Sequence, residues 1–143
     1  MVKKIWLGIL LVCVAGLLWA WLAGPQWLED WNQASQQEQQ AFQQKGATLG
    51  SHSDQQGCFD AALASFDQCQ DSEYKCTVNN GILLKACWQK SLPSEGFCDD
   101  VPAFAEKPSE DDKAWMKDSC LTAGINGSGC RLLMRQKQQL CSS

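Results

Sequence analysis

The stretch that decides the fold is Cys58–Cys87, CFDAALASFDQCQDSEYKCTVNNGILLKAC, in which Cys58 and Cys69, and then Cys76 and Cys87, stand eleven residues apart. Eleven steps of about 100° return a helix to within roughly 20° of its starting direction. Each pair therefore lies on one helical face, about three turns apart. The polar QDSEYK between the pairs is short, and either Asp71 or Ser72 offers a side-chain oxygen to cap a second helix. Two such helices make a hairpin. If they run antiparallel, Cys69 meets Cys76 beside the turn and Cys58 meets Cys87 at the open end. Phe59, Ala62, Leu63 and Phe66 in the first helix, with Val78, Ile82, Leu83 and Leu84 in the second, fall on the cysteine-bearing faces and predict a shared core. Gly81 costs the second helix up to about 1 kcal/mol, and its small size admits close packing. The same eleven-residue step from Cys87 to Cys98 is interrupted by Leu92-Pro93 and Gly96, and is read as coincidence.

A second hairpin comes next, on a looser plan. Pro108-Ser109, with Asp112 three residues after the serine, is a capped helix start leading into Ala114, Trp115, Met116 and Cys120. The glycine-rich AGINGSG closes that helix, and Ser128 is placed to cap a fourth carrying Cys130, Leu133, Met134, Leu140 and Cys141. The same antiparallel logic joins Cys120 to Cys130 across the turn and leaves Cys98 for Cys141. Eight cysteines allow 105 connectivities, and geometry alone selects this one. The Cys58–Cys87 hairpin resembles in geometry the twin C-x9-C proteins of the mitochondrial intermembrane space. Here the spacing is C-x10-C, x6, C-x10-C, and the resemblance covers that stretch alone.

The segment Cys58–Ser143 is small for a domain held by packing alone, so covalent staples are physically useful to it. Eight of the nine cysteines lie there, an even count that reads as a disulfide framework in an exported segment. Each bridge contributes about 2 to 4 kcal/mol, not additively.

Upstream, Met1 to Lys4 precede an uncharged run, Ile5–Ala23, IWLGILLVCVAGLLWAWLA. As a helix of 19 residues it reaches roughly 28 Å, close to the hydrocarbon thickness of a bilayer. Lys3 and Lys4 before it, and Glu29 and Asp30 after it, favour a cytoplasmic start at 1–4 and an exported C-terminus. A cleaved signal peptide would have a shorter core and a small-x-small site, whereas Leu18-Trp19-Ala20 and Trp21-Leu22-Ala23 begin with large residues. The run is therefore read as a retained signal anchor, with Cys13 a small apolar residue of the span. Trp19, Trp21, Trp27 and Trp31 gather at its exported end, where amphipathic rings favour the interface. A glutamine-rich juxtamembrane helix, 25–45, is expected to begin near Pro25, with Trp27, Trp31, Ala34, Ala41 and Phe42 on one stripe. Residues 46–57, GATLGSHSDQQG, have the composition of a flexible linker, and 58–143 is the disulfide-rich domain. The fold class is thus all-α: an N-terminal transmembrane helix plus a small stapled bundle of about four helices.

Net charge is −4 for the chain, with twelve acids against nine bases from Cys58 onward, so no basic face points to nucleic acid. The local asymmetry is an acidic stretch, Glu95 to Asp112, against Arg131, Arg135 and Lys137 near the end. These either pair or form solvated faces. There is no C-x-x-C for thiol redox work, and the shortest cysteine separation, seven, is too long for a structural zinc site. His52, the one histidine, falls in the expected linker, which leaves a serine or cysteine nucleophile without an obvious base. Asp60, Asp67, Asp99 and Asp100 are available for acid–base work, yet acids on amphipathic helices ordinarily face water. Asn126-Gly127-Ser128 matches a glycosylation sequon but is read as a backbone turn.

The expectation is a non-catalytic protein without cofactor or metal, a single-pass inner-membrane protein whose C-terminal domain lies in the periplasm. It would serve as an interaction module, an accessory or assembly subunit of an envelope complex, contacting a protein partner through Trp27, Trp31, Trp88 or Trp115. The alternative is a periplasmic inhibitor or immunity protein for an exported toxin or enzyme, with the acidic stretch against a basic target.

Overall fold

The computed structural model describes residues 2–143, with side chains from Ile5 onward; the start at 1–4, expected to be cytoplasmic, lies outside those described side chains. The chain is all-helical: α1 Val2–Gly50, α2 Gln55–Asp67, α3 Glu73–Trp88, α4 Glu110–Thr122 and α5 Ser128–Cys141. Among the described residues the one β-type pairing is an isolated parallel bridge between Asp54 and Leu92. The chain divides into two compact units, the first ending at Glu38 and the second running Gln39–Ser143, so the boundary falls inside α1.

In the first unit α1 is long and apolar enough to cross a bilayer. Its large apolar side chains are exposed, from Val14 at 44% to Trp21 at 77%. Such a helix, apolar all round, suits lipid as its solvent. Pro25 does not start a new helix; it lies inside α1. Proline has no N–H to give the carbonyl four residues back, so one backbone bond is lost there. The unbroken apolar turns before it and the glutamine- and alanine-rich turns after it keep the helix continuous.

The second unit is built on the α2–α3 hairpin. Cys58, Phe59, Ala62, Leu63 and Phe66 are buried along α2, the face that their spacing predicts. Along α3 the burial is broader than one stripe and includes Asn79, Asn80 and Ala86 as well as Leu83, Leu84 and Cys87. The reason is position: α3 packs against both α2 and α5 and also receives the end of α1. Four disulfides join Cys58–Cys87, Cys69–Cys76, Cys98–Cys141 and Cys120–Cys130, with Cα separations of 5.5 to 6.0 Å. These are the four pairs that the antiparallel reading selects.

The stretch read as a flexible linker, 46–57, is ordered instead. α1 continues to Gly50, and a β-carbon on Gly46 or Gly50 would collide with the backbone carbonyl oxygens of Leu83 or Cys87. GATLG is thus a G-x-x-x-G contact that brings two helix backbones together, where any larger side chain would hold them apart. Phe42 and Leu49 of the same helix pack against the core. A tight turn comes after α1, in which the Leu92 N–H donates to the Ser53 carbonyl at 3.1 Å and the Gln55 N–H to the Leu92 carbonyl at 3.0 Å. Asp54 then caps α2 by accepting the Gly57 N–H at 2.8 Å.

Local chemistry fixes the remaining helix ends. Ser72 caps α3, and Ser109 with Asp112 forms the expected capping box on α4. α4 ends with Gly124 at φ +74°, the Ile125 N–H returning to the Cys120 carbonyl and Gly124 to Leu121. Ile125 is buried, which completes a Schellman closure with its apolar contact. Ser128 is not the cap of α5, whose N-cap is Gly127 and offers no side chain. Glu73 of α3 does that work from 55 residues away, accepting from the Ser128 hydroxyl at 3.0 Å and the Gly129 N–H at 2.7 Å.

Candidate interaction surface

The crossover from α3 to α4 is long, yet tied down at several points. Phe97 is buried, its ring 5.9 Å from that of Phe59 and 5.5 Å from that of Trp88. Cys98 is bonded to Cys141, and the Phe104 N–H donates to the Ser142 hydroxyl at 2.9 Å. Arg135 donates to the carbonyls of Ala105 and Glu106 at 2.9 and 2.6 Å and lies over the Phe104 ring. The basic end of the chain therefore holds the acidic crossover largely through backbone carbonyls and a ring face. Lys137 sits over two rings, 3.9 Å from the Phe97 centroid and 5.0 Å from that of Phe59. Burial pushes its ammonium pKa down, partly opposed by Asp60 nearby.

Asp112 is not available as part of an acidic contact surface. It is buried, its carboxylate accepts from the Ser109 N–H and hydroxyl at 2.8 Å each, and these bonds hold its pKa below the ordinary carboxylate value, helped by Gln138. Glu73 is held down in the same way, first by the Gly129 N–H and then by the Ser128 hydroxyl. Both acids serve as helix caps.

α2 and α4 each pack against α5 but not against each other. The space between them is an open groove of about 470 Å³, with Phe59 and Leu63 on one wall, Trp115 on the other and Met134 of α5 below. Asp60 of α2, Asp118 of α4 and Lys137 of α5 also line it. The Asp60 carboxylate accepts from the Gln56 amide at 2.8 Å, and both aspartates are exposed.

The tryptophans separate into two kinds. Trp27 and Trp31 are exposed at 67% and 61% on α1, in the first unit. Trp88 and Trp115 are half-buried and packed against the core. Trp88 is occupied by Phe97, whereas Trp115 presents the rest of its surface to the groove. Phe59, Leu63 and Met134 read in sequence as plain core and are also groove walls. The available signal was the seven-residue spacing of Asp60 with Asp67, and of Asp111 with Asp118, which marks two acidic helix edges. His52 is exposed in the turn before α2. Asn126 and Gly127 belong to the α4–α5 turn, where Gly127 holds φ +115°.

No family model, curated protein or solved structure matches the chain.

Proposed function

We propose that this protein is a membrane-anchored, extracytoplasmic interaction module, an accessory or assembly subunit of an envelope complex that acts by binding. The observation that carries the reading is the pairing of an apolar helix long enough to cross a bilayer with a small unit stapled by four disulfides and carrying an open, aromatic-lined groove. Disulfides belong to oxidising compartments, and the lysines preceding the span favour export of the residues beyond it. The periplasm is the compartment proposed. A bridged domain loses little conformational entropy on binding, which suits it to recognition. Trp27 and Trp31 supply the contact close to the span, at headgroup level or on a partner helix, and Trp115 supplies the contact on the stapled unit.

The test is a pull-down from native membranes in mild detergent with a C-terminal tag. Recovery of a stoichiometric set of membrane subunits is expected. Recovery of one soluble exported enzyme instead would make the protein an inhibitor, for which the exposed acids Glu95, Asp99 and Asp100 on the tethered crossover are the favouring feature. Repeated recovery of the protein alone would sink both readings.

A further inference from the structure

The chain contains two Asn-Gly dipeptides, Asn80-Gly81 and Asn126-Gly127. Such a pair carries a reaction of its own. The main-chain nitrogen of the glycine attacks the side-chain carbonyl carbon of the asparagine, with no β-carbon on the second residue to obstruct the approach. A C–N bond forms and closes a succinimide; the bond from that carbon to the side-chain nitrogen breaks, and the nitrogen departs as ammonia with the proton that the glycine gives up. Water then opens the ring at either carbonyl, leaving aspartate or its β-linked isomer. Water is the one co-reactant, and nothing is oxidised or reduced. The requirements are structural: the glycine N–H must be uncommitted, and the asparagine side chain must be free to swing onto it.

α3 denies both at Asn80. The residue is 1% exposed, and its amide donates to the Cys76 carbonyl at 2.8 Å. Gly81 lies inside the helix, where its N–H is committed to the carbonyl four residues back, and its own carbonyl accepts the Gln136 amide at 2.8 Å.

The α4–α5 turn grants both at Asn126. Its side chain is exposed and forms no hydrogen bond among the described residues. Nearby N–H groups are engaged: Gly124 donates to the Leu121 carbonyl, Ile125 to that of Cys120 and Gly129 to the Glu73 carboxylate. The Gly127 N–H has no acceptor among the described residues. Gly127 holds φ +115°, so glycine is the residue this turn requires, and the reactive dipeptide comes with it. Asn126 also shares a surface recess with Glu73, the carboxylate that caps α5. Conversion sets a second negative charge near that cap, and the β-linked product lengthens the main chain inside the loop closed by Cys120 and Cys130.

We propose that Asn126 is a site of spontaneous covalent modification, converted through a succinimide with Gly127 to aspartate and β-linked aspartate, while the fold protects Asn80.

The experiment incubates the full chain, in micelles of an uncharged detergent and mildly alkaline buffer, beside a synthetic peptide AGINGSG as an unstructured reference. Samples are reduced, digested with trypsin and read by chromatography and mass spectrometry. Cleavage at lysine and arginine puts Asn80 in CTVNNGILLK and Asn126 in DSCLTAGINGSGCR, so the two sites are scored separately. Asn126 should convert at a rate within about tenfold of the free peptide and at least about tenfold faster than Asn80, which must wait for α3 to open. Both aspartate and the β-linked isomer are expected. After reduction in strong denaturant, Asn80 should convert as fast as Asn126. Asn126→Gln, whose longer side chain would have to close a larger and slower-forming ring, should leave its peptide unmodified. An Asn126 that stays intact while the free peptide converts, or that converts no faster than Asn80 in the folded chain, overturns the proposal. Aspartate without the β-linked isomer would contradict the succinimide route, and an Asn80 that stays intact in denaturant would show that something other than the fold spares it.

Discussion

The two units of this chain are both helical, but they are helical for different reasons. In the first, the side chains of α1 from Ile5 to Trp31 are largely exposed, and the segment is long and apolar enough to cross a bilayer, a medium in which a helix with all its backbone bonds internal is the low-energy state. In the second, helices of 13 to 16 residues would be marginal alone in water, and they are held by a buried core and four covalent bridges. One region draws on its surroundings and the other on its own cross-links. Perturbations should therefore separate them cleanly.

Full reduction is the largest expected effect. With four bridges at about 2 to 4 kcal/mol each, not additive, loss of all of them should unfold the stapled unit while the helical signal of the span persists in detergent. A cooperative thermal melt of α2–α5 after complete reduction would contradict this division. The order of reduction refines it. Cys98 is exposed whereas Cys58 and Cys87 are fully buried, so mass mapping during partial reduction should find Cys98–Cys141 opened first and Cys58–Cys87 last.

Next comes a pair of glycine substitutions on one helix. Gly50→Leu forces a side chain into the Cys87 backbone and should destabilise the stapled unit by about 3 kcal/mol, read by denaturant unfolding. Gly16→Leu in the span meets open space and should leave that unfolding unchanged. Equal effects would mean that the G-x-x-x-G contact carries no weight.

A smaller effect is the acid response. The folded-state pKa values of Glu73 and Asp112 are lowered, so their contribution is present above the unfolded carboxylate range of about 3.9 to 4.3 and is lost as pH falls through the lower folded values. The melting temperature of the stapled unit should drop on acidification below about pH 4, and Glu73→Gln should flatten part of that drop. A variant with an unchanged acid profile would remove Glu73 from the cap of α5. The smallest change concerns Asn80, whose buried Oδ1 has no hydrogen-bond partner among the described residues while its amide donates to the Cys76 carbonyl at 2.8 Å. Asn80→Leu removes that orphan acceptor and should alter stability by no more than about 1 kcal/mol in either direction.

The sequence was legible where structure is set by local rules. Eleven-residue cysteine spacing marks helical faces, a serine three residues before an aspartate marks a capping box, and a glycine-rich run marks a turn; each appears where these rules put it. What escaped depends on partners distant in the chain. Gly46 and Gly50 look like linker until Leu83 and Cys87 are known to lie against them. Ser128 looks like a cap until Glu73 arrives from the other hairpin. Trp88 and Trp115 look free in sequence because composition does not reveal that both pack against the core, Trp88 with Phe97 against its ring. The groove itself results from two helices sharing a floor without touching, a relation that no single segment encodes.

The decisive measurement uses the protein immobilised with its native partner in mild detergent, and records what reductant releases. If the stapled unit carries the protein contact, the partner elutes as the four disulfides open, while the span stays helical and the tagged chain stays bound. Retention of the partner through complete reduction would contradict that assignment, and would move the contact to α1 and to Trp27 and Trp31.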